Sequence, residues 1–499
     1  MKHYHYYDFT DELTPDEIYK GLLSYGMFAE KLPPVFTAEN FFDYCENNHP
    51  QFSVKPSEYI YYESMRNINV PRSMGIPNPV VYFTQCKHIA NIWPYLQKYF
   101  KEQTRDQNHV ISRIHIRKMK DKQALFLMNY RSWKDDDATE ANLLFGAKYL
   151  VKADISNCFP SIYTHSLPWA LVGKNKAKDN KNKKDEWYNK LDLYTRNIKF
   201  GETHGLLIGP HTSNLLSEII LIRIDNILYS KGWRYVRNID DYTCYVATYE
   251  EGQLFLTDLS EQLREYDLTL NHKKTMIEKL PSASVEHWVR KLKLFTTLAI
   301  KDKMKLSDVR SYLDLIIDLM KSNKENAAVL TYAIKVFSKK KLLASAEEYY
   351  IKMIFHLVII YPYLVSLLEE YVFIPFNVHE EEIAKLANLL YQDGIKLKNY
   401  EAVSYALYYA CKYNFVISTY KFEDAKQSNN CIFLLFSYLY CTKKDNKELV
   451  KEHKNYARQI MKKEMDLFWL FIYEVLPQSD LKEYWKLMKK ANVSFLKDF

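Results

Sequence analysis

The sequence predicts an α+β chain in which a split βαβ sheet is followed by an all-helical region, and three observations predict it. Between Lys148 and Ile277, strand-like and helix-like runs follow one another in the order β-α-β-β-α-β. Inside that span, the run Arg234 to Val246 reads as a hairpin whose tip holds the adjacent pair Asp240-Asp241, with no Gly or Pro to make the turn. Beyond about residue 290 the strand signals fade and amphipathic segments recur, which divides the chain into 1–290 and 291–499.

The early elements follow from local punctuation. Thr14-Pro15-Asp16-Glu17 starts a helix, with Thr14 as cap and Pro15 at the first helical position. A second starts at Thr37-Ala38-Glu39-Asn40. Val70 to Pro79 is a proline-punctuated loop that cannot be helix. The helix predicted over 89–99 contains Pro94, which either kinks it or marks its true start. From Val110 to Arg131 the pattern is strand, basic turn, strand, with Arg117, Lys118, Lys120 and Lys122 at the tip. Such a tip is either a solvated turn or a finger that holds phosphates.

The central sheet is read from Lys148 onward. A strand from Lys148 to Ile155 carries Asp154 near its end. The lysine- and asparagine-rich insert Gly173 to Lys184 is a solvated loop by default, with contact to a nucleic-acid backbone as the alternative. A helix opens at Gly209-Pro210 and carries Leu215, Leu216, Ile219, Ile220, Ile227 and Leu228 toward Gly232. The Asp240-Asp241 hairpin, a helix over 250–266 and a last strand from Leu268 complete the unit. Asp154 then stands on a strand adjacent to the hairpin.

In the second part, helices are predicted over 309–320, 326–337, 344–360, 381–391, 401–413, 432–440, 456–475 and 481–491, paired as in a solenoid-like stack. The most hydrophobic run, Met353 to Leu368, contains His356 and Pro362 and falls short of the roughly 20 apolar residues a membrane span needs. A buried helix broken near Pro362 is expected instead, and no membrane span.

Composition narrows the partners. The formal net charge of +8 permits contact with nucleic acid without requiring it. The 42 tyrosines can stack on bases, although a composition bias of the coding sequence would produce them as well. The 7 cysteines are scattered, odd in number and free of any CxxC pair, which fits reduced thiols in a cytosolic protein rather than a disulfide or zinc framework. The first residues lack an apolar core segment and turn acidic, so no signal peptide is expected there.

An isolated Asp-Asp pair is most often a solvated turn. A third carboxylate on a neighbouring strand changes that reading, because two divalent cations about 3.5–4 Å apart can serve nucleotidyl transfer and hard Mg²⁺ (or Mn²⁺) takes oxygen ligands. Asp154, Asp240 and Asp241 meet the requirement. Phe159, five positions after Asp154, is either a core residue or a ring that packs under a sugar and leaves no room for a 2′-hydroxyl.

Together these stretches resemble a reverse transcriptase. The resemblance rests on Asp154 with Phe159, on Gly205-Leu206-Leu207-Ile208-Gly209 opening a helix, on the Asp240-Asp241 hairpin, and on Leu270-Asn271-His272-Lys273-Lys274-Thr275, in that order over roughly residues 60–290. Phe159 to Trp169 and Thr203-His204-Gly205 are similar to the abortive-infection, AbiK-like group of phage-exclusion proteins. This likeness implies a right-hand palm and fingers, then an α-helical repeat domain. It also implies DNA synthesis from dNTPs without a template, primed by a tyrosine of the protein and leaving single-stranded DNA attached to it. The setting would be a homo-oligomer in the bacterial cytoplasm. Carried over by position, Asp154, Asp240, Asp241 and the Ile155 carbonyl would bind metal, Phe159 would gate the sugar, and Gly209 would let backbone approach the nucleotide. Lys274 would stand near the phosphates as a proton donor to pyrophosphate, and Arg117 and Lys120 would contact the nucleotide.

Two positions depart from the pattern. Asn238-Ile239 stands where Tyr-x commonly precedes the Asp pair, and Ile208 where a Gln is common. Both positions normally help to seat a primer end or a templated pair, so template copying is the function put in doubt. The priming tyrosine is sought on an N-terminal segment expected to be mobile, with Tyr7 first and Tyr25 as another candidate. The alternatives are a template-directed RNA-dependent DNA polymerase and a catalytically silent nucleic-acid-binding scaffold, the latter disfavoured by three intact carboxylates.

Overall fold

The computed structural model describes residues 5–52, 55–66, 70–113, 139–281, 286–298 and 303–497. The basic tip with Arg117 and Lys120 lies outside the described residues.

Two sheets are present among these residues. Strands β1 (Ile60–Met65) and β2 (Pro71–Ile76) form an antiparallel pair. Strands β3 (Tyr149–Asp154), β4 (Tyr235–Asn238), β5 (Asp241–Val246) and β6 (Met276–Lys279) form a sheet of order β4-β5-β3-β6 with every ladder antiparallel. Helices His211–Ser230 and Tyr249–Arg264 make the two crossovers, so the topology is the split βαβ unit. Side-chain alternation explains the strands. Tyr242, Cys244 and Val246 of β5 are buried on one face, and in β3 Leu150, Val151 and Ala153 are buried while Lys152 projects to Glu278 at 3.1 Å.

Several expectations are corrected. The last strand starts at Met276 rather than Leu268, because Asn271 turns the chain: its carbonyl accepts the Lys274 and Thr275 amides, each at 3.0 Å. Leu270 keeps a single bridge to Ile155. The proline-rich loop after Val70 contains β2; Pro71 stands at the strand's first position, where a missing N–H is tolerated. Helices Pro79–Asn91 and Trp93–Thr104 are separate, and Pro94 lies in the first turn of the second, so of its two expected roles it marks the helix start. Pro210 caps its helix instead of opening it. The polar insert holds the short helix Lys174–Asp179, anchored by buried Ala177. The helix predicted over 456–475 is two, Lys447–Glu464 and Trp469–Val475.

Thr14 caps its helix as expected, and Glu17 in return accepts from the Thr14 amide. Every described element from His287 onward is helical, and the chain breaks at Pro362 as its sequence implies. No helix is long and apolar enough to cross a membrane. The helical part returns to the start of the chain. The Thr37 amide donates to the Phe495 carbonyl at 3.0 Å and the Lys497 amide to the Val35 carbonyl at 2.7 Å. Glu401 accepts from Ser64 Oγ at 2.8 Å and from the Met65 amide at 2.7 Å, which fastens β1 to the helix Tyr400–Lys412.

Candidate active site

The antiparallel register of β3 and β5 sets Asp154 directly opposite Asp241. Asp240 occupies the turn between β4 and β5, and its carbonyl accepts the Ile155 amide at 3.1 Å, tying the ends of the two carboxylate-bearing segments together. One carboxylate oxygen from each of Asp154, Asp240 and Asp241 lies within 4.8 Å of the others. Asp154 is 4% exposed. Its Oδ1 accepts from Asn271 Nδ2 at 2.9 Å and its Oδ2 from Lys274 Nζ at 2.7 Å.

Packing three acids together has an electrostatic cost. Burial, then the charge of Asp154, raises the Asp240 carboxyl above its usual range. Burial, then Asp240 and Asp154, push Asp241 up to about 7. Asp241 is the most exposed of the three by surface area. A divalent cation relieves this repulsion, and an all-oxygen donor set with no thiol or imidazole suits a hard ion. The three carboxylates fit such an ion and can hold it.

Residues 92–303 match the family described as reverse transcriptase (RNA-dependent DNA polymerase). The chain carries a reverse transcriptase domain. That domain supports a nucleotidyltransferase (polymerase) function and implies nucleotide substrates and a nucleic acid product. No curated protein matches the chain. The matched segment begins after β2, so the β1–β2 hairpin lies outside it and the helix His287–Leu298 inside it.

Within the matched segment, the loop from Gly205 to Gly209 acts as a spacer between two neighbours. At Gly205 (φ +84°) a Cβ would stand 2.8 Å from the Pro160 carbonyl oxygen, and the Leu206 amide donates to the Phe159 carbonyl at 2.8 Å. At Gly209 (φ +133°) a Cβ would stand 2.9 Å from the Gly75 carbonyl oxygen, and the Gly75 amide donates to the Ile208 carbonyl at 2.9 Å. The close approach at Gly209 is thus to β2. Phe159 lies in the helix Cys158–Ser161, half-buried against the core.

The N-terminal segment differs from its expectation. Tyr7 belongs to the helix Tyr6–Asp11, where Tyr6 is buried against Phe100 with ring centroids 5.7 Å apart. Tyr7 itself stacks on His5 at 5.0 Å, with Lys101 Nζ 5.3 Å from its ring centre. Burial of Tyr6 and Thr10 docks this helix, so from His5 on the segment is packed, and Tyr7 is not on a free arm. The Tyr25 hydroxyl donates to Glu39 Oε1 at 2.8 Å.

Three participants had no role assigned from sequence. Asn271 supports Asp154 and could have been suspected as a turn-forming residue in the Leu270 to Thr275 stretch. Arg72 of β2 places a positive charge in the field of Asp240, which nothing in a proline-rich stretch signals. Arg237 lies under the hairpin, fully buried. Its signal is a pair of acids, Glu218 and Asp225, seven residues apart on one face of a helix and flanking its apolar run Ile219 to Ile222.

Proposed function

We propose that the chain is a DNA polymerase that adds dNTPs without copying a template, primed from one of its own tyrosines, in abortive-infection defence against phage. The observation that supports it most is the pairing of a complete acid triad with altered template-seating positions. Where a primer-gripping aromatic commonly precedes the Asp pair, Asn238 pairs with Asp241 at the strand ends and Ile239 is buried, while the Ile208 carbonyl is bonded to β2. Asp154, Asp240 and Asp241, with the Ile155 carbonyl, would hold Mg²⁺ (or Mn²⁺), which supplies activation of the attacking oxygen and charge neutralisation on the triphosphate. Lys274 would turn from Asp154 to the phosphates and deliver a proton to the leaving pyrophosphate. Phe159 would exclude a 2′-hydroxyl, and Asn271 would keep the Asp154 carboxylate oriented. The same reading takes residues 1–290 as the polymerase unit and 291–499 as a helical repeat unit, in a homo-oligomer of the bacterial cytoplasm. It keeps Tyr7 as the first primer candidate, on condition that its helix undocks.

The match to RNA-dependent DNA polymerases favours a second reading, template-directed reverse transcription. Purified protein incubated with Mg²⁺ and dNTPs decides between them. DNA that survives denaturation and is released only by protease, made with no template added, supports the proposal. Strict dependence on an RNA template with no attached product supports the second reading. Equal incorporation by wild type and Asp240→Ala would remove both.

A further inference from the structure

We infer that Arg237 is a positioning residue for the metal-binding carboxylates, clamping the turn that presents Asp240 and Asp241. The inference rests on reading those acids as the metal centre. The turn that links β4 to β5 runs through Ile239 with φ +57°, a left-handed conformation that a β-branched residue resists. Something must hold it there. Two contacts do: the Ile239 side chain is buried, and its carbonyl accepts from Arg237 Nη1 at 2.7 Å.

The guanidinium is itself fixed on its other edges. Its Nε donates to Asp225 Oδ2 at 2.9 Å, one Nη2 bond reaches Asp225 Oδ2 at 2.6 Å, and another pairs with Glu218 Oε1. Each acid is held in turn. Tyr235 Oη donates to Asp225 at 2.8 Å and Ser112 Oγ to Glu218 at 2.9 Å. The backbone of Arg237 pairs with Ile111 and Arg113 at 2.8 and 2.7 Å. One planar fork therefore connects the helix His211–Ser230 to the turn preceding Asp240. Burying three charges yields little net stability, since apolar replacements of such triads are often neutral or better. What the fork adds is direction: a rigid donor aimed at a single carbonyl, which a lysine ammonium bonded to two acids does not reproduce.

Two variants test this. Arg237→Lys keeps a charge between the acids and loses the fork. The triple variant Arg237→Met, Glu218→Gln, Asp225→Asn leaves no buried charge and retains acceptors for Tyr235 and Ser112. Mn²⁺ binding is measured by the paramagnetic resonance of free Mn²⁺, with Asp154→Asn as the control that removes a ligand. The expected result in folded variants is an Mn²⁺ dissociation constant raised at least tenfold, with the Mg²⁺ midpoint for dNTP incorporation moving in parallel. A purely structural role would lower the number of binding-competent molecules and leave the constant unchanged. A constant within threefold of wild type in either folded variant overturns the inference. If wild type itself binds no better than Asp154→Asn, the metal-centre reading fails instead.

Discussion

Lys274 Nζ lies 2.7 Å from Oδ2 of Asp154, so an ammonium occupies an oxygen that a divalent cation would also use. The pair places a positive charge against one acid of the cluster, and in the proposed reaction the same lysine would become available to a phosphate when a cation takes its place. Lys274→Met should therefore separate binding from chemistry. Mn²⁺ affinity is expected to tighten a few-fold, because no ammonium competes, while incorporation falls by about 10²–10⁴ with loss of a proton donor. Weaker Mn²⁺ binding in this variant would show that Lys274 supports the metal site instead of contesting it.

Asp241 faces two acids within 4.8 Å. Removing its charge should stabilise the metal-free protein and abolish the metal's own stabilising effect. Asp241→Asn is expected to melt a few degrees above wild type at low ionic strength without metal. On adding Mg²⁺ wild type should gain stability by mass action and the variant should not. Melting curves with and without Mg²⁺ check both halves, and a destabilised metal-free variant would contradict them.

The order of strand, long helix, hairpin and second helix was legible because each of those runs holds one period, whereas the helices Ser166–Val172 and Trp187–Asn197 between the first two were not foreseen. Asp154 and Asp240-Asp241 were legible as one cluster because the strand order sets a third carboxylate beside an Asp-Asp turn. The position of β6 was not: Leu268 to Leu270 has strand propensity, but Asn271 takes its backbone bonds into a turn. Nor were the placing of Arg72 in the field of Asp240, or the bonds of Glu401 to Ser64 and Met65, since such long-range relations leave no local pattern. Arg237 was visible as a charge in a strand, and only the packed helix explains its burial.

Glu401 predicts a pH dependence far from the triad. Burial raises its carboxyl from 4.5 to about 7, against the lowering effects of its bonds to Met65 and Ser64 and the charge of Lys31. The folded state thus binds this proton more tightly than the unfolded chain. Its full contribution to stability is present below about pH 4.5 and is lost as pH rises toward 7, by roughly 3 kcal/mol. Glu401→Gln mimics the protonated acid, donating to Ser64 and accepting from Met65. It should be more stable than wild type at pH 8 and equal to it near pH 4.5. Parallel melting-temperature profiles for the two proteins between those pH values would refute the assignment.

Gly205 and Gly209 make a paired prediction, because their neighbours differ. An alanine Cβ at Gly209 would stand 2.9 Å from the Gly75 carbonyl oxygen, on a backbone at φ +133° that side chains resist. Relief requires β2 to move, breaking the Gly75–Ile208 hydrogen bond and shifting Arg72 away from Asp240. Gly209→Ala should cost about 1–3 kcal/mol and lower kcat/KM for dNTPs without changing the preference for deoxyribose. At Gly205 the added Cβ instead meets the Pro160 carbonyl at 2.8 Å, next to Phe159. Gly205→Ala should therefore displace the Phe159 ring and raise incorporation of rNTPs relative to dNTPs. Single-nucleotide incorporation with both sugar types measures each effect. If the two variants shift sugar discrimination equally, Phe159 is not the residue that reads the 2′ position.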